Sequence, residues 1–221
     1  MYYNHPMKLN LEEFEAVIFD MDGTMVDNME FHNRAWVEFI KRRGIAVDEQ
    51  EFLIKAVGMN NTAILEILFK RKIERDKQQV FEVEKESIYR EIYKPVFKEV
   101  PGFKSFLSKL QQMGLKTGVA TNAHLENREF TLELLELKDS FTVVVGSDDA
   151  GRGKPHPAVY LMAAQRLGAD PKKCLAFEDT LLGINSAKAA GLTVVGVLTS
   201  HTKEELGRAD YFIKDFTETE F

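Results

Sequence analysis

Five short apolar runs constrain this chain more than any other feature: Ala16 to Phe19, Leu115 to Ala120, Phe141 to Val145, Cys174 to Phe177 and Thr193 to Val197. Short and sharply bounded, they read as strands buried on both faces. The intervening stretches repeat apolar residues at helical spacing: Phe103 to Met113, Leu125 to Leu137, Ala158 to Leu167 and Leu181 to Ala190. Three of them stop at a glycine, Gly114, Gly168 or Gly191, a residue that adopts the left-handed backbone of a helix end at little cost. Strands alternating with helices predict an α/β fold, a parallel sheet with helices on both faces.

The segment from Met29 to Lys98 breaks the rhythm, with helical patterns at Phe31 to Arg42, Thr62 to Lys70 and Val80 to Tyr93 and no convincing strand. It reads as a helical insertion after the first strand, and Pro95 and the Val100 to Gly102 turn mark the return to the sheet. The expected division is therefore 1–28 with 99–221 as the sheet domain and 29–98 as the insertion. The run "KRKIERDK" from Lys70 mixes both signs of charge and reads as a solvated helix face.

At 221 residues the chain can bury most of its apolar surface without staples, and a monomer is expected. Its 29 basic against 35 acidic residues give a net charge of −6, which argues against nucleic acid or an anionic membrane as a partner. Cys174 is the only cysteine; intramolecular disulfides and cysteine-rich zinc sites are excluded, and it reads as a small core residue. A reducing cytoplasm is the expected compartment. Glu12, Glu13 and Glu15 stand where a signal peptide would need an apolar core, and no stretch approaches the roughly 20 apolar residues of a membrane span.

In open parallel sheets, ligands bind beyond the carboxyl ends of the strands. Asp20 and Asp22 follow the first run, Thr121 and Asn122 the second, Lys154 the third, and Glu178 and Asp179 the fourth. Four converging carboxylates would repel one another strongly in a partly dry site, and a hard divalent cation, Mg2+, is the simplest relief. Thr121 and Lys154 supply donors and positive charge for an anion such as phosphate. These are the parts of phosphoryl transfer, in which charge stabilisation and in-line positioning do most of the work. An ionised Asp20 could attack phosphorus, while Asp22 protonates the leaving oxygen and later deprotonates water. Gly23 permits the turn that brings Asp22 back towards Asp20. Taken singly, each residue has a structural reading as a turn, a helix cap or a surface lysine; their arrival in order at consecutive strand ends does not. The glycine-rich "GSDDAGRGKP" matches neither the P-loop nor the dinucleotide-binding spacing.

With "DMDGT" at Asp20, "ATNA" around Thr121, "GKPHP" around Lys154 and "FEDTLLGINSAKAAG" around Glu178, the sequence resembles the haloacid dehalogenase superfamily, in its β-phosphoglucomutase-like branch of phosphatases and mutases. The resemblance implies a Rossmann-like core with an all-α cap inserted after the first motif. It also implies Asp20 as nucleophile and Asp22 as general acid/base. Magnesium would be held by the Asp20 side chain, the Asp22 backbone carbonyl, Asp179 and, directly or through water, Glu178. In the cap, His32 in "EFHNRAW", Lys85 in "EKESIY" and Gly58 in "GMNN" fall where relatives meet substrate, as Asn122 does in the core. Asn61 stands where the mutases carry an arginine that grips a distal phosphate, and losing a bidentate guanidinium there weighs against bisphosphate chemistry. The expected activity is thus a phosphohydrolase acting on a small phosphorylated metabolite such as a sugar phosphate, with β-phosphoglucomutase second and a response-regulator-like phosphoacceptor third.

Overall fold

The computed structural model describes residues 7–8, 10–56 and 61–220. The chain forms two compact units, one of Met1–Asp27 with Lys98–Phe221 and the other of Asn28–Phe97. In the first unit the strands, in chain order, are β1 (Met7–Lys8), β2 (Ala16–Phe19), β3 (Lys116–Ala120), β4 (Val143–Val145), β5 (Cys174–Glu178), β6 (Thr193–Val197), β7 (Tyr211–Ile213) and β8 (Thr219–Glu220). Strands β1 and β8 pair with each other; the other six form one parallel sheet in the order β4-β3-β2-β5-β6-β7. The chain builds outward from β2 to one edge, then returns to β5 and builds to the other. The crevice between the carboxyl ends of β2 and β5 is thus the switch point where ligands bind in doubly wound sheets.

The five apolar runs supply five of the six strands of this sheet. The sixth, β7, was not expected: it lies at an edge, and only Ile213 of its three residues is buried. Period-two alternation sorts the sheet's faces. Val17, Phe19, Leu175 and Phe177 point to one side, where Phe19 meets Phe103 at 5.2 Å, Phe177 at 5.3 Å and Phe216 at 6.1 Å between ring centroids. Burying each such ring contributes about 2–3 kcal/mol. Ala16, Ile18, Cys174 and Ala176 face the other side, against Val159, Tyr160, Ala163 and Ala164 of the helix Ala158–Leu167. Cys174 is buried there, and burial pushes its thiol up to about 11.

The second unit is helical: α1 (Met29–Arg42), α2 (Glu49–Ala56), α3 (Asn61–Phe69) and α4 (Arg75–Tyr93). Helix α2 was not expected, and Phe52 is its only buried residue, too little to set a period. Helices α1 and α4 pack antiparallel, with Phe31 on Tyr93 at one end (5.0 Å) and Phe39 on Phe81 further along (6.0 Å). Among the described residues, no helix is long and apolar enough to cross a membrane.

Candidate active site

Register and pleat bring the first carboxylates together. Phe19 pairs with Phe177, so Asp20 and Glu178 follow side by side, and the Asp20 amide donates to the Phe177 carbonyl at 3.0 Å. By the alternation above, Asp20 and Glu178 lie on the Ala16/Cys174 side of the sheet. From that side the loop before helix Ala158–Leu167 delivers Lys154, whose Nζ donates to Asp20 Oδ1 and Glu178 Oε1, each at 2.5 Å. Asp20, Glu178 and Asp179 are all buried, with one carboxylate oxygen from each lying within 4.8 Å of the others.

The two carboxylates from β5 and its end differ in how they are held. Glu178 Oε1 also accepts from the Tyr160 hydroxyl at 2.8 Å, and Oε2 accepts from the Thr180 hydroxyl at 3.2 Å. Both Asp179 oxygens are buried and, among the described residues, meet hydrogen-bond geometry with no donor, while the Ser200 side chain favours the ionised form. Burial is the main force pushing the Asp179 carboxyl well above the usual range, with Asp20 and Glu178 adding to it. Burial likewise pushes Asp20 up to about 8, against the pull of Lys154 and with a further push from Glu178. At Lys154 burial opposes the charge, but Asp20 and Glu178 outweigh it and hold the ammonium protonated. The Lys154 ammonium contacts only two of the three buried carboxyls, so a hard cation with oxygen ligands fits the donor set, and the unsatisfied oxygens of Asp179 are its natural first contact.

Asp22 is half-buried in the turn after β2, which is closed by the Gly23 amide donating to the Val26 carbonyl at 2.8 Å. Gly23 has φ +79°, and a Cβ there would lie 2.0 Å from Asp179 Oδ2. Thr121 is buried beyond β3, its hydroxyl accepting from the Ala123 amide at 3.0 Å. Asn122 Oδ1 accepts from the Lys154 amide at 2.8 Å, which fixes the backbone that carries the ammonium. In the helical unit Lys85 is buried, with Nζ 2.8 Å from His32 Nδ1 and 2.9 Å from Glu86 Oε1, and His32 stacks on Tyr89 at 3.9 Å. Gly58 lies outside the described residues.

Tyr160 and Gly183 escaped the sequence reading. A tyrosine at a helical apolar position looks like core, which it also is; only its hydroxyl reaches the site. At Gly183 a Cβ would lie 1.8 Å from Glu178 Oε1. Gly183→Ala must therefore displace a carboxylate held by Lys154, Tyr160 and Thr180. The expected cost is about 1–3 kcal/mol of stability, read as a lower Tm, with at least about tenfold lower activity.

A six-stranded parallel sheet with carboxylates gathered at its switch point defines a doubly wound α/β enzyme. The family model for haloacid dehalogenase-like hydrolases matches residues 14–191. A phosphorylated carbohydrates phosphatase of Thermotoga maritima is 32% identical over 200 residues, 84% of this chain and 86% of that protein. The crystal structure of a HAD hydrolase, family IA, variant 3, from Entamoeba histolytica superposes with a TM-score of 0.86 at 30% identity, covering 94% of this chain and 96% of that one. A β-phosphoglucomutase from Clostridium difficile follows with a TM-score of 0.80 at 25% identity over 94% of both chains. The chain belongs to the haloacid dehalogenase-like hydrolases, and its structural neighbours include a β-phosphoglucomutase.

Proposed function

We propose that this protein is a magnesium-dependent phosphohydrolase of a small sugar phosphate, working through a phosphoryl group carried on Asp20. The observation that carries the reading is the contact of the Lys154 ammonium with both Asp20 and Glu178 beside the unsatisfied Asp179. Asp20 would attack phosphorus through a carboxylate oxygen while the sugar alkoxide leaves with a proton from Asp22. Asp22 would then take a proton from the water that hydrolyses the aspartyl phosphate. Lys154 and the Thr121 hydroxyl would hold the phosphoryl oxygens, and Asn122 would act by holding Lys154. The Asp20 side chain, the Asp22 carbonyl, Asp179 and Glu178 would hold magnesium, which when bound supplies positive charge against the phosphoryl group. With four protein donors already on its carboxylate, from Lys154, Tyr160 and the amide and hydroxyl of Thr180, Glu178 is better suited to act through water than directly.

The helical unit would read the leaving group through His32, Lys85 and the loop of Gly58. The Lys85–Glu86 pair and the bond from Asn61 Nδ2 to Glu86 Oε1 at 3.2 Å favour a substrate with one phosphate. A carboxylate already neutralises the lysine, and the position of the mutases' arginine bears a neutral amide. A panel of hexose and polyol phosphates, nucleotides and pyrophosphate, assayed for free phosphate with and without Mg2+, tests the reading. The expected result is magnesium-dependent release from one or more sugar monophosphates. Isomerisation of glucose 1-phosphate faster than phosphate release, in the presence of a bisphosphate primer, would replace it with the mutase reading.

A further inference from the structure

The loop that follows β6 reaches the same site from a strand end that bears no carboxylate. Three of its residues, Thr199, Ser200 and His201, approach the acidic cluster. The Thr199 hydroxyl donates to the Gly23 carbonyl at 2.5 Å. His201 Nδ1 lies 3.0 Å from the Asp179 carbonyl; a carbonyl only accepts, so Nδ1 must carry the proton. Between them Ser200 approaches the Asp179 carboxylate.

The loop is itself anchored at both ends. At its start the Leu198 amide donates to the Ile213 carbonyl of β7 at 2.9 Å. At its end Thr202 and Glu205 form a reciprocal cap: the Thr202 amide donates to Glu205 Oε2 at 2.8 Å, and the Glu205 amide to the Thr202 hydroxyl at 3.3 Å. The two carbonyls it grips belong to the turns that present the ligand set. Gly23 follows the peptide whose carbonyl, from Asp22, is a proposed ligand. Asp179 carries the unsatisfied carboxylate, and Gly23 has no side chain where Asp179 Oδ2 lies. These turns approach too closely to move independently, and Thr199 and His201 tie both to one anchored loop.

We propose that Thr199 and His201 are positioning residues that set the protein's affinity for magnesium by clamping the Gly23 and Asp179 backbones in register. Neither donor reaches a carboxylate or the place of a reacting atom; both act through the main chain they hold. The inference rests on the magnesium-dependent reading above. Hydrogen-bond partners beyond the ligands themselves typically govern metal affinity by about 10–100-fold.

The test measures magnesium binding without substrate, as the rise in Tm with added Mg2+, alongside the Mg2+ concentration for half-maximal phosphate release. Thr199→Val and His201→Ala remove the donors; Thr199→Ser and His201→Asn keep a donor in nearly the same place. The expected result is about tenfold weaker binding by both measures in the first pair, with kcat at saturating Mg2+ within about threefold of wild type, and recovery in the second pair. The clamp is overturned if Thr199→Val and His201→Ala bind Mg2+ like wild type, if the donor-keeping variants lose as much as the others, or if kcat falls while the Mg2+ midpoint stays fixed. A wild-type protein whose Tm and activity ignore Mg2+ would instead sink the magnesium-dependent reading, and the clamp with it.

Discussion

Asp20→Asn is expected to lower turnover of a sugar phosphate by about 10⁴-fold or more, the scale of losing a covalent nucleophile. That is roughly 5–6 kcal/mol of transition-state free energy. The amide has nearly the same shape and can still accept from Lys154, so the fold should survive. Asp22→Asn should differ in kind. Without the acid, an alkoxide leaving group suffers by about 10²–10⁴-fold, but a nitrophenolate needs no proton and should still leave quickly. The second half-reaction would then lack its base, and labelled phosphate should accumulate on Asp20. A burst of nitrophenol followed by a slow steady state, with acid-stable but hydroxylamine-labile label on the protein, is the expected signature. Asp20→Asn turning over at the wild-type rate would show that phosphorus is attacked by some other group.

Much of the placement of the candidate site was legible because strand ends are where a parallel sheet presents its chemistry. Asp20, Thr121, Lys154, Glu178 and Asp179 all follow apolar runs that form strands, so the sequence alone marks their positions. The pleat explains why Asp20 and Glu178 then meet: each continues the side of Ala16 or Cys174, in strands paired Phe19 to Phe177. What escaped lacked that signature. Strand β7 buries one residue and helix α2 one residue, so neither writes a period into the sequence. The hydroxyl of Tyr160 is invisible because its ring satisfies the core pattern. The loop at Thr199 and His201 also follows a strand end, that of β6, but carries no carboxylate to mark it in the sequence. In the helical unit, the pairing of Lys85 with Glu86 depends on side-chain direction at adjacent positions of α4, which helical periodicity does not specify.

In the presence of a chelator, stability should fall as pH rises from about 6 to 8, the reverse of what salt-bridged surface carboxylates produce. The Asp20 carboxyl has an ordinary value of 3.8 and is pushed up to about 8 in the fold, burial being the main cause. Between those values the folded chain holds a proton that the unfolded chain has released, so folding is favoured by acid. The contribution is full below 3.8 and is lost as pH climbs through about 8. Asp179, also raised by burial, acts in the same direction. Lys154, raised above 10.5, stays protonated throughout this window and leaves the slope unchanged. Glu15 and Glu205, lowered mainly by backbone hydrogen bonds, lose their contributions only as pH falls below the ordinary glutamate range. The net loss between pH 6 and 8 should be about 2 kcal/mol, or roughly 5 °C in Tm. Mg2+ at pH 8 should recover it, because a bound cation favours the ionised carboxylates that bare burial disfavours. Asp20→Asn should flatten the chelator curve and raise its high-pH end, since a neutral amide has no charge to desolvate. The measurement is a set of melting curves at fixed ionic strength with chelator or Mg2+. A chelator Tm that climbs from pH 6 to 8 would mean that the carboxylates are already neutralised within the protein, leaving a cation no charge to relieve.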